Sequence, residues 1–420
     1  MPTPKGSTVM AVVTMRNACL YSPYSTRSIR RTSNNGNAML KTKPTVLANA
    51  SHDTRPVKVS PLASPIRVLL IGPSLNIIGG QSIQASHLLH RLAAEPSVQV
   101  QFLPVNPRLP AALSMKYVRT LITLVLYLAR LAASIGRADI LHIFTPGYFA
   151  FYLAPASALL LARVLGKPTI LNYHDGRAED HLAHWPVARR LMRLATILIV
   201  PSDYLVDVFA RFGLNATRIY NVAETNPLRY RDRLRPRPVF LHNRGLASEY
   251  NPACTLRAFA IIQRRYPEAS LLIAHDGPLR PALQSLAISL GLRQTQFIGS
   301  VSPASMGALY DSADIYLMSP DADNMPLSLL ECFASGLPIV SSSAGGIPNI
   351  VEDQNTGLLF MPNDHQAMAA CALRLLEEPA LASRLAANAR VQCAQYSWSK
   401  IGPQWMAHYH CLPDPSSSSV

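Results

Sequence analysis

Short apolar segments alternate along the chain with longer amphipathic ones. The segment Ile66-Arg-Val-Leu-Leu-Ile-Gly72 ends at a glycine, as a buried parallel strand that leads into a loop does. Apolar residues then recur with a helical period from Ile83 to Ala93, which predicts a helix. Further apolar runs predict strands at 98–103, 140–144, 169–173 and 197–200. Strands that alternate with helices in this way predict a parallel α/β sheet.

The second half of the chain repeats the alternation. Residues 314–319 predict a short buried strand, residues 320–326 a loop, and residues 327–335 a helix whose apolar positions follow the helical period. We therefore predict two doubly wound α/β domains, at 66–224 and 239–395. The length of 420 residues and the apolar content of 49% are sufficient for two hydrophobic cores.

The segments outside the two domains differ in composition. Residues 1–65 hold nine Lys or Arg against the single acid Asp53 and show no sustained periodicity, which predicts a disordered basic tail. A transit peptide for an organelle shares this bias, and so does a start codon set upstream of the true one. Residues 225–238 combine alternate arginines with prolines, so we expect a solvated linker close to the cleft between the domains. Residues 413–420 predict a frayed tail.

The net charge indicates which class of partner the protein binds, and the cysteine spacing indicates the redox compartment. A net charge of +15 at pH 7 favours an anionic partner. Nucleic acid is not expected, because the chain shows no basic-aromatic interleaving, zinc-ligand spacing or recognition-helix pattern; an anionic phospholipid or a sugar nucleotide is favoured. The six cysteines form no C-x-x-C, which predicts a reduced, cytoplasmic compartment and no metal site.

Two apolar stretches, 121–133 and 149–162, resemble membrane spans at first sight. Arg130 interrupts the first and Pro155 the second, so we expect neither to cross a bilayer, which needs about 20 apolar residues. Lys116, Arg119 and Arg130 beside the first stretch suit a helix that lies on an anionic membrane, at its inner face. The alternative is an amphipathic helix that packs on the sheet.

Two carboxylates flank the start of the predicted helix 327–335. Asp323 precedes it, as does Asp321, and Glu331 projects from its second turn among apolar residues. A carboxylate in such surroundings loses hydration and needs a partner, which the hydroxyl groups of a ligand can provide. Downstream, the pair Gly345-Gly346 opens a predicted helix and presents N–H groups to an anion. The combination predicts a site for a polyhydroxylated, phosphorylated ligand.

Loops of the first domain add candidates at the carboxyl ends of its strands. Gly79-Gly80 follows the first strand, but it is not a G-x-G-x-x-G dinucleotide fingerprint. His174 follows the strand 169–173, where a neutral imidazole can bond a sugar hydroxyl. Asp175 and Arg177 are weaker candidates beside it. His181 and His184 are expected on a helix surface.

These motifs resemble the retaining family-4 glycosyltransferases of the GT-B fold, which has two Rossmann-like domains facing a cleft. That family's signature is an acid, seven residues and a glutamate, then a Gly-Gly-x-Pro-Glu segment. The resemblance covers roughly residues 66–410. It extends through Arg244, Leu246, 256–259, 266–269, 276–280, 297–299, 313–314 and 357–359, and more weakly through Gly79-Gly80, His174 and 201–202.

The resemblance implies a hexosyltransferase that moves a sugar from a nucleotide diphosphate sugar to a glycan, lipid or small-molecule acceptor with retention of configuration, as in polysaccharide biosynthesis. Glu331 would hold the donor ribose, Asp323 the donor sugar and Arg244 the pyrophosphate. No cofactor and no metal are expected. Further donor contacts are expected at Gly79, Gly80, Asp276, Gly277, Asn324, Met325, Pro326, Leu327, Gly345 and Gly346. The family's terminal helix, which crosses back to the first domain, would correspond to residues 396–412.

The chain departs from the family's pattern at four positions. Asp323 stands where glutamate is usual, His275 replaces a glycine, and Asn349 replaces the glutamate of Gly-Gly-x-Pro-Glu. Tyr250 lies in the region where a lysine normally assists the arginine. Two alternatives therefore stay open: a nucleotide-sugar epimerase of the GT-B fold, and a catalytically inactive nucleotide-sugar-binding scaffold.

Overall fold

The computed structural model describes residues 64–76, 79–106, 116–224 and 228–412. The predicted basic tail up to residue 63 and the predicted frayed end at 413–420 lie outside the described residues. Residues 225–227 of the predicted linker lie outside them as well.

A parallel sheet organises the first half of the chain, with the strand order β2-β1-β3-β4-β5-β6. The strands are Ile66–Gly72 (β1), Val98–Pro104 (β2), Ile140–Thr145 (β3), Thr169–Tyr173 (β4), Ile197–Val200 (β5) and Thr217–Arg218 (β6). The helices are Gly80–Ala93 (α1), Lys116–Ile135 (α2), Phe149–Leu153 (α3), Pro155–Val164 (α4), Ala178–His184 (α5), Pro186–Met192 (α6) and Asp203–Arg211 (α7). The strand order reverses between β1 and β3, which opens a crevice at their carboxyl ends.

A second parallel sheet has the order β12-β11-β10-β7-β8-β9. Its strands are Val239–Asn243 (β7), Ser270–Ala274 (β8), Thr295–Gly299 (β9), Ile315–Met318 (β10), Ile339–Ser342 (β11) and Leu358–Phe360 (β12). The helices that follow β7 are Pro252–Arg265 (α8), Arg280–Ser289 (α9), Met306–Ser312 (α10), Leu327–Ser335 (α11), His365–Glu377 (α12), Pro379–Cys393 (α13) and Trp398–Cys411 (α14). Here the order reverses between β7 and β10. The predicted fold class, two doubly wound α/β domains, is confirmed.

Both faces of each sheet are covered, which explains the continuous apolar runs in the strands. In β3, Leu141 and Ile143 point into one core of the first domain, and Ile140 and Phe144 point into the other. All six residues of β3 are buried.

The terminal helix α14 packs on the first sheet, although it follows the second sheet in sequence. Trp405 and Tyr409 lie in the same core as Ile140 and Phe144. His142 receives a hydrogen bond from the Asn172 amide on Nε2 (3.1 Å), so its Nδ1–H donates to the Tyr409 hydroxyl (2.7 Å). Burial lowers the pKa of His142 to about 3, so the ring is neutral.

The segment 228–238 contains one buried arginine, which the prediction of a solvated linker does not anticipate. Arg233 is 4% exposed and donates to the carbonyl oxygens of Tyr310, Ala313 and Ser335, at the carboxyl ends of α10 and α11. A guanidinium can be buried here because its five donors satisfy the unpaired carbonyls of two helix ends. The prediction of a solvated linker is therefore wrong for Arg233, whereas Arg229, Asp232, Leu234, Arg235 and Arg237 are exposed.

The buried carboxylate of Asp314 holds the same segment from the other side. It accepts hydrogen bonds from the Arg231 and Arg237 side chains and from the backbone N–H of Arg237. Burial alone would raise the pKa of Asp314, but the bonds from Arg237 and Arg231 outweigh it and hold the pKa below its usual range.

Helix α2 is longer than the predicted apolar stretch. Its segment Val118–Ile135 is an apolar stretch of 18 residues of which 17% is buried, so by length and composition alone it could cross a membrane. The prediction that this stretch is too short is wrong. Tyr127, Leu131 and Ile135 pack into the core of the first domain, which fixes one side of α2 and leaves the other exposed. The second stretch is divided at Ala154 into α3 and α4.

We expect Asp314→Asn to lower the free energy of unfolding by about 2–3 kcal/mol, because it removes the charged acceptor of buried hydrogen bonds. A depressed pKa stabilises the fold above the unfolded pKa of about 3.9 and loses that contribution at lower pH. The difference from the wild type, measured by urea denaturation, should therefore persist down to about pH 4 and shrink as the pH falls below that value.

The matched control is Glu377→Gln, at an exposed pair with Arg265 whose N–O distance is 3.7 Å. It should change stability by less than about 0.5 kcal/mol. Equal effects of the two substitutions would contradict the anchoring role of Asp314.

Candidate active site

A cleft of about 590 Å³ opens between the carboxyl ends of the two sheets. From the first domain it is lined by the Gly79-Gly80 loop after β1 and by His174 after β4. From the second domain it is lined by Arg244 after β7 and by the loop that joins β10 to α11. Among the predicted site residues, the cleft brings together Gly79, Gly80, His174, Arg244, Asp323, Asn324, Met325, Pro326, Leu327 and Glu331.

Arg244 and Asp323 form a buried ion pair in this cleft. Arg244 follows β7 and Asp323 follows β10, the adjacent strands between which the order of the second sheet reverses. The Arg244 guanidinium donates directly to Asp323, and the backbone N–H of Asn324 donates to the other carboxylate oxygen (2.9 Å). Burial raises the pKa of Asp323, and the charge of Arg244 opposes that rise.

Arg244 retains unused hydrogen-bonding capacity. Its Nε is buried without a partner in the described part of the chain. Such a group in a cleft is typical of a position that a ligand completes. The guanidinium carbon lies 4.4 Å from the centroid of the Tyr250 ring. Tyr250 therefore stacks on the cation and supplies no second positive charge.

Glu331 lies on the second turn of α11, as the helical pattern predicts. Its Oε2 accepts a hydrogen bond of 2.6 Å from the hydroxyl of Tyr310 in α10. Within the described residues Oε1 accepts no further hydrogen bond, so this atom is available to a ligand in the cleft. Burial raises the pKa of Glu331, while the Tyr310 hydrogen bond and the charge of Arg244 act in the opposite direction.

The pair Gly345-Gly346 does not line the cleft but packs against the backbone of Asp323 and Asn324, which do. It is followed by a single 3₁₀ turn, Ile347–Asn349, so the prediction of a helix with an anion-binding N-terminus is wrong. A Cβ at either glycine would overlap the backbone oxygen of Asp323 or Asn324. The N–H of Gly346 donates to the Asp323 carbonyl (3.0 Å). The glycines thus allow the β11 loop to approach the backbone that carries the Asp323 carboxylate.

Asp276 and Gly277 also lie outside the cleft lining. A Cβ at Gly277 would overlap the backbone of Leu246, and Leu246 donates to the Asp276 carbonyl (3.1 Å). This turn braces the loop that begins with Arg244. His275, by contrast, does line the cleft, and it holds a left-handed backbone (φ 92°) at a position where the resembling family has glycine.

His174 contributes a neutral imidazole to the cleft. It stacks on Phe144 with ring centroids 5.2 Å apart, and burial lowers its pKa to about 3. Its Nε2 is buried without a partner in the described residues.

Two histidines further along were expected on a helix surface, and one of them is not. His181 is fully buried and bonds the Tyr173 hydroxyl through Nδ1 (2.9 Å), so that expectation is wrong for His181. Its helix α5 turns this side towards β4, together with Ala178 and Leu182. His184 is exposed.

The loop 323–325 is held by both domains. Ser202, after β5, donates to the side chain of Asn324, and Asn221 donates to the Met325 carbonyl (3.2 Å). Asn349 accepts from the backbone N–H of Tyr204, in the first turn of α7. The unusual asparagine at 349 therefore joins the two domains. Sequence reasoning did not find these contacts, because they link segments more than 100 residues apart.

Two family models match adjoining parts of the chain. Glycosyltransferase Family 4 matches residues 78–226, and Glycosyl transferases group 1 matches residues 232–392. Alpha-D-kanosaminyltransferase of Streptomyces kanamyceticus is 27% identical over 67% of this chain and 78% of its own length. A sulfoquinovosyl transferase of Arabidopsis thaliana is 27% identical over 64% of this chain and 56% of its own length.

Solved structures show the same fold. Sucrose-phosphate synthase from Thermosynechococcus elongatus superposes with a TM-score of 0.67 and 19% identity, covering 82% of this chain and 98% of that one. HepE of Anabaena, solved with UDP and glucose, gives a TM-score of 0.66 and 19% identity over 83% and 100% of the two chains.

Two doubly wound domains that face a cleft, together with these matches, define a glycosyltransferase of the GT-B fold. The chain belongs to the family-4, group 1 glycosyltransferases, whose two models together match most of it, and is a hexosyltransferase. The predicted family, fold and enzyme class are confirmed.

We expect Arg244→Ala to lower the transfer rate by roughly 10²–10³-fold, because the cleft loses the cation that the family resemblance assigns to the leaving diphosphate and Tyr250 cannot replace it. Tyr250→Lys should raise the rate in the wild-type background. Steady-state assays with the donor identified by screening would measure both. Near-wild-type transfer by Arg244→Ala, with Arg265→Ala as the surface control, would show that another cation holds the leaving group.

The pH dependence of the melting temperature of Arg244→Ala tests the ion pair between Arg244 and Asp323. Without Arg244, burial raises the pKa of Asp323 further above the unfolded value of about 3.9. A raised pKa stabilises the fold at low pH and the contribution is lost as the pH rises. Arg244→Ala should therefore melt at a higher temperature at pH 5 than at pH 8, relative to the wild type at the same two pH values.

Proposed function

We propose that the enzyme transfers a hexose from a nucleoside diphosphate donor to a hydroxyl acceptor with retention of anomeric configuration. The observation that carries the proposal is the buried Arg244–Asp323 pair, with Glu331 beside it on the same wall of the cleft. In the proposed complex the diphosphate bonds Arg244, the donor sugar lies against Asp323, and Glu331 accepts hydrogen bonds from the ribose hydroxyls.

The ion pair suits a leaving-group site. Arg244 is already desolvated and fixed by Asp323 and Tyr250, so it needs little reorganisation when charge develops on the diphosphate. Asp323 is released as the diphosphate becomes the new partner of Arg244. Its carboxylate then accepts hydrogen bonds from hydroxyl groups of the sugar.

The leaving phosphate itself receives the acceptor proton in this mechanism. His174 is the imidazole at the first-domain side of the cleft, and a pKa of about 3 makes it a weak base near neutral pH. It is suited to orienting a hydroxyl group. Transfer of the proton to the departing phosphate, on the face where that phosphate leaves, accounts for retention.

HepE was solved with UDP, with UDP and glucose, and with UDP-glucose, which makes these the first ligands to test. We propose an acceptor in glycan or lipid synthesis, since the first-domain wall offers neutral and polar groups to a hydroxylated molecule. These include Gln81, Ser82, Ser86 and His87.

Glu331→Gln should weaken binding of UDP by about 10–100-fold, the equivalent of the roughly 1.5–3 kcal/mol of a charge-assisted hydrogen bond. Calorimetry with UDP, and with GDP in parallel, measures the loss on a variant whose melting temperature is unchanged. The matched control is Asp321→Asn, in the same loop but outside the cleft lining. Unchanged binding of both nucleotides by Glu331→Gln would remove Glu331 from the donor site.

The anomer of the first product tests retention. With UDP-glucose, an α-linked donor, the α-anomer of the released or transferred glucose should appear first in proton NMR. The β-anomer would establish inversion. Absence of transfer and hydrolysis across a panel of nucleotide sugars that bind would favour the inactive scaffold.

We also propose that the enzyme works at the inner face of an anionic membrane and docks there through the outer sides of α2 and α4. Val118, Leu121 and Val125 of α2 are 41–63% exposed, and Val164 of α4 is 80% exposed. The two helices contain no Asp or Glu, whereas Arg119, Arg130 and Arg163 are exposed beside the apolar side chains. An apolar surface with a basic rim fits anionic lipid.

Leu121→Glu with Val125→Glu should reduce co-sedimentation with phosphatidylglycerol-containing vesicles several-fold at unchanged thermal stability. The matched control is Ile288→Glu with Val391→Glu, two residues of the second domain that are 80% and 78% exposed. Equal binding by the two double variants would refute docking through α2. The surface would instead bind a second copy of the chain if two results were obtained together. The wild type would not bind vesicles, and Leu121→Glu with Val125→Glu would lose a self-association that the wild type shows.

A further inference from the structure

Tyr310 is fully buried in the second domain, yet its hydroxyl bonds a carboxylate of the cleft. The hydroxyl donates to Glu331 Oε2 (2.6 Å) and receives a hydrogen bond from the Asn243 amide (3.2 Å). At its other end, the carbonyl of Tyr310 accepts from the buried guanidinium of Arg233 (2.7 Å). Tyr310 is therefore fixed both at its backbone and at its hydroxyl.

The arrangement restricts a flexible side chain. A glutamate has three rotatable side-chain bonds, and ordering them on binding reduces affinity. Glu331 lies where its Oε2 is already engaged, so Oε1 is presented to the cleft in one orientation. Asn243 ends β7 and Arg244 follows it, so one short segment orients both the diphosphate cation and the partner of Tyr310.

We propose that Tyr310 is a positioning residue, which presents the Glu331 carboxylate to the hydroxyl groups of the donor nucleoside and is itself held by Asn243. The inference rests on the proposed role of Glu331 and adds the source of its orientation.

The charged and titratable groups around Glu331 give the proposal a pH signature. They are Arg244 from the β7 loop, Tyr310 from α10, Tyr316 from β10 and Cys332 of the same helix. Burial raises the pKa of Glu331, and the Tyr310 hydrogen bond opposes this rise. Removal of the hydroxyl should raise the pKa further, so that the carboxylate is lost at a higher pH.

The test is Tyr310→Phe, assayed by calorimetry with UDP between pH 5 and pH 8. We expect affinity at pH 7.5 to fall about tenfold and the acid limb of the affinity profile to move to higher pH. The KM for the donor sugar should rise while kcat changes less than about threefold. The matched control is Tyr127→Phe, which removes a buried hydroxyl that donates to the Ala154 carbonyl (3.2 Å) in the first domain, outside the cleft lining.

The same substitution in the Glu331→Gln background separates positioning from general packing. If Tyr310 acts through the carboxylate, Tyr310→Phe should cause no further loss of UDP affinity there. An equal loss in both backgrounds, or an unshifted pH profile, would overturn the inference. If Tyr310→Phe does not fold, Asn243→Ala tested in both backgrounds takes its place, with an expected loss of about threefold in the wild type only.

The outcomes also separate this inference from the proposed function. Unchanged UDP binding by Glu331→Gln would refute both the proposed role of Glu331 and the positioning role of Tyr310. Weakened binding by Glu331→Gln with unchanged binding by Tyr310→Phe would overturn the inference alone.

Discussion

The buried ion pair of Arg244 and Asp323 is the constraint around which the cleft is built. Two charges leave water here, and such burial is costly unless each charge is well paired. The pairing is possible because β7 and β10 are neighbours in the sheet although their loops are far apart in sequence. A strand order that separated the two side chains would leave both charges without this partner. The fold and the chemistry of this wall are therefore linked through strand order.

The glycines around the Arg244–Asp323 pair matter because their small size lets other backbone segments approach closely. Because Gly345 and Gly346 have no side chain, the backbone of the Asp323 loop can pack directly against them. Gly176, from the first domain, lies against the same backbone. Ser202 and Asn221 add hydrogen bonds from the first domain. The backbone that carries the carboxylate is thus packed between glycines of both domains. The domain interface and the proposed sugar site lie in the same loop, so movement of one domain relative to the other would change the surroundings of Asp323.

The sequence pattern predicts the repeating elements well, because burial on both sides of a parallel strand leaves a clear apolar run. The strands β1, β4 and β5 and the helix α11 begin and end where the pattern places them. The carboxylates at 323 and 331 are also legible, since acids beside an apolar helix are uncommon. What the pattern cannot provide is long-range pairing. Arg233 reads as a solvated charge until the ends of α10 and α11 lie over it, and His181 reads as a surface residue until Tyr173 faces it. The pair Gly345-Gly346 predicts a turn, but it does not predict that the backbone of Asp323 and Asn324 packs against that turn.

Helix α14 has a consequence for the order in which the protein is made. The face of the first sheet that carries His142 is covered by Trp405 and Tyr409, which are synthesised after the whole second domain. Nascent domains generally fold as units while synthesis continues. Here the ribosome must deliver the whole second domain before the first can close this face. Until then, an apolar surface that includes Ile140 and Phe144 is exposed in the growing chain, and a chaperone that shields such surfaces would have its site there.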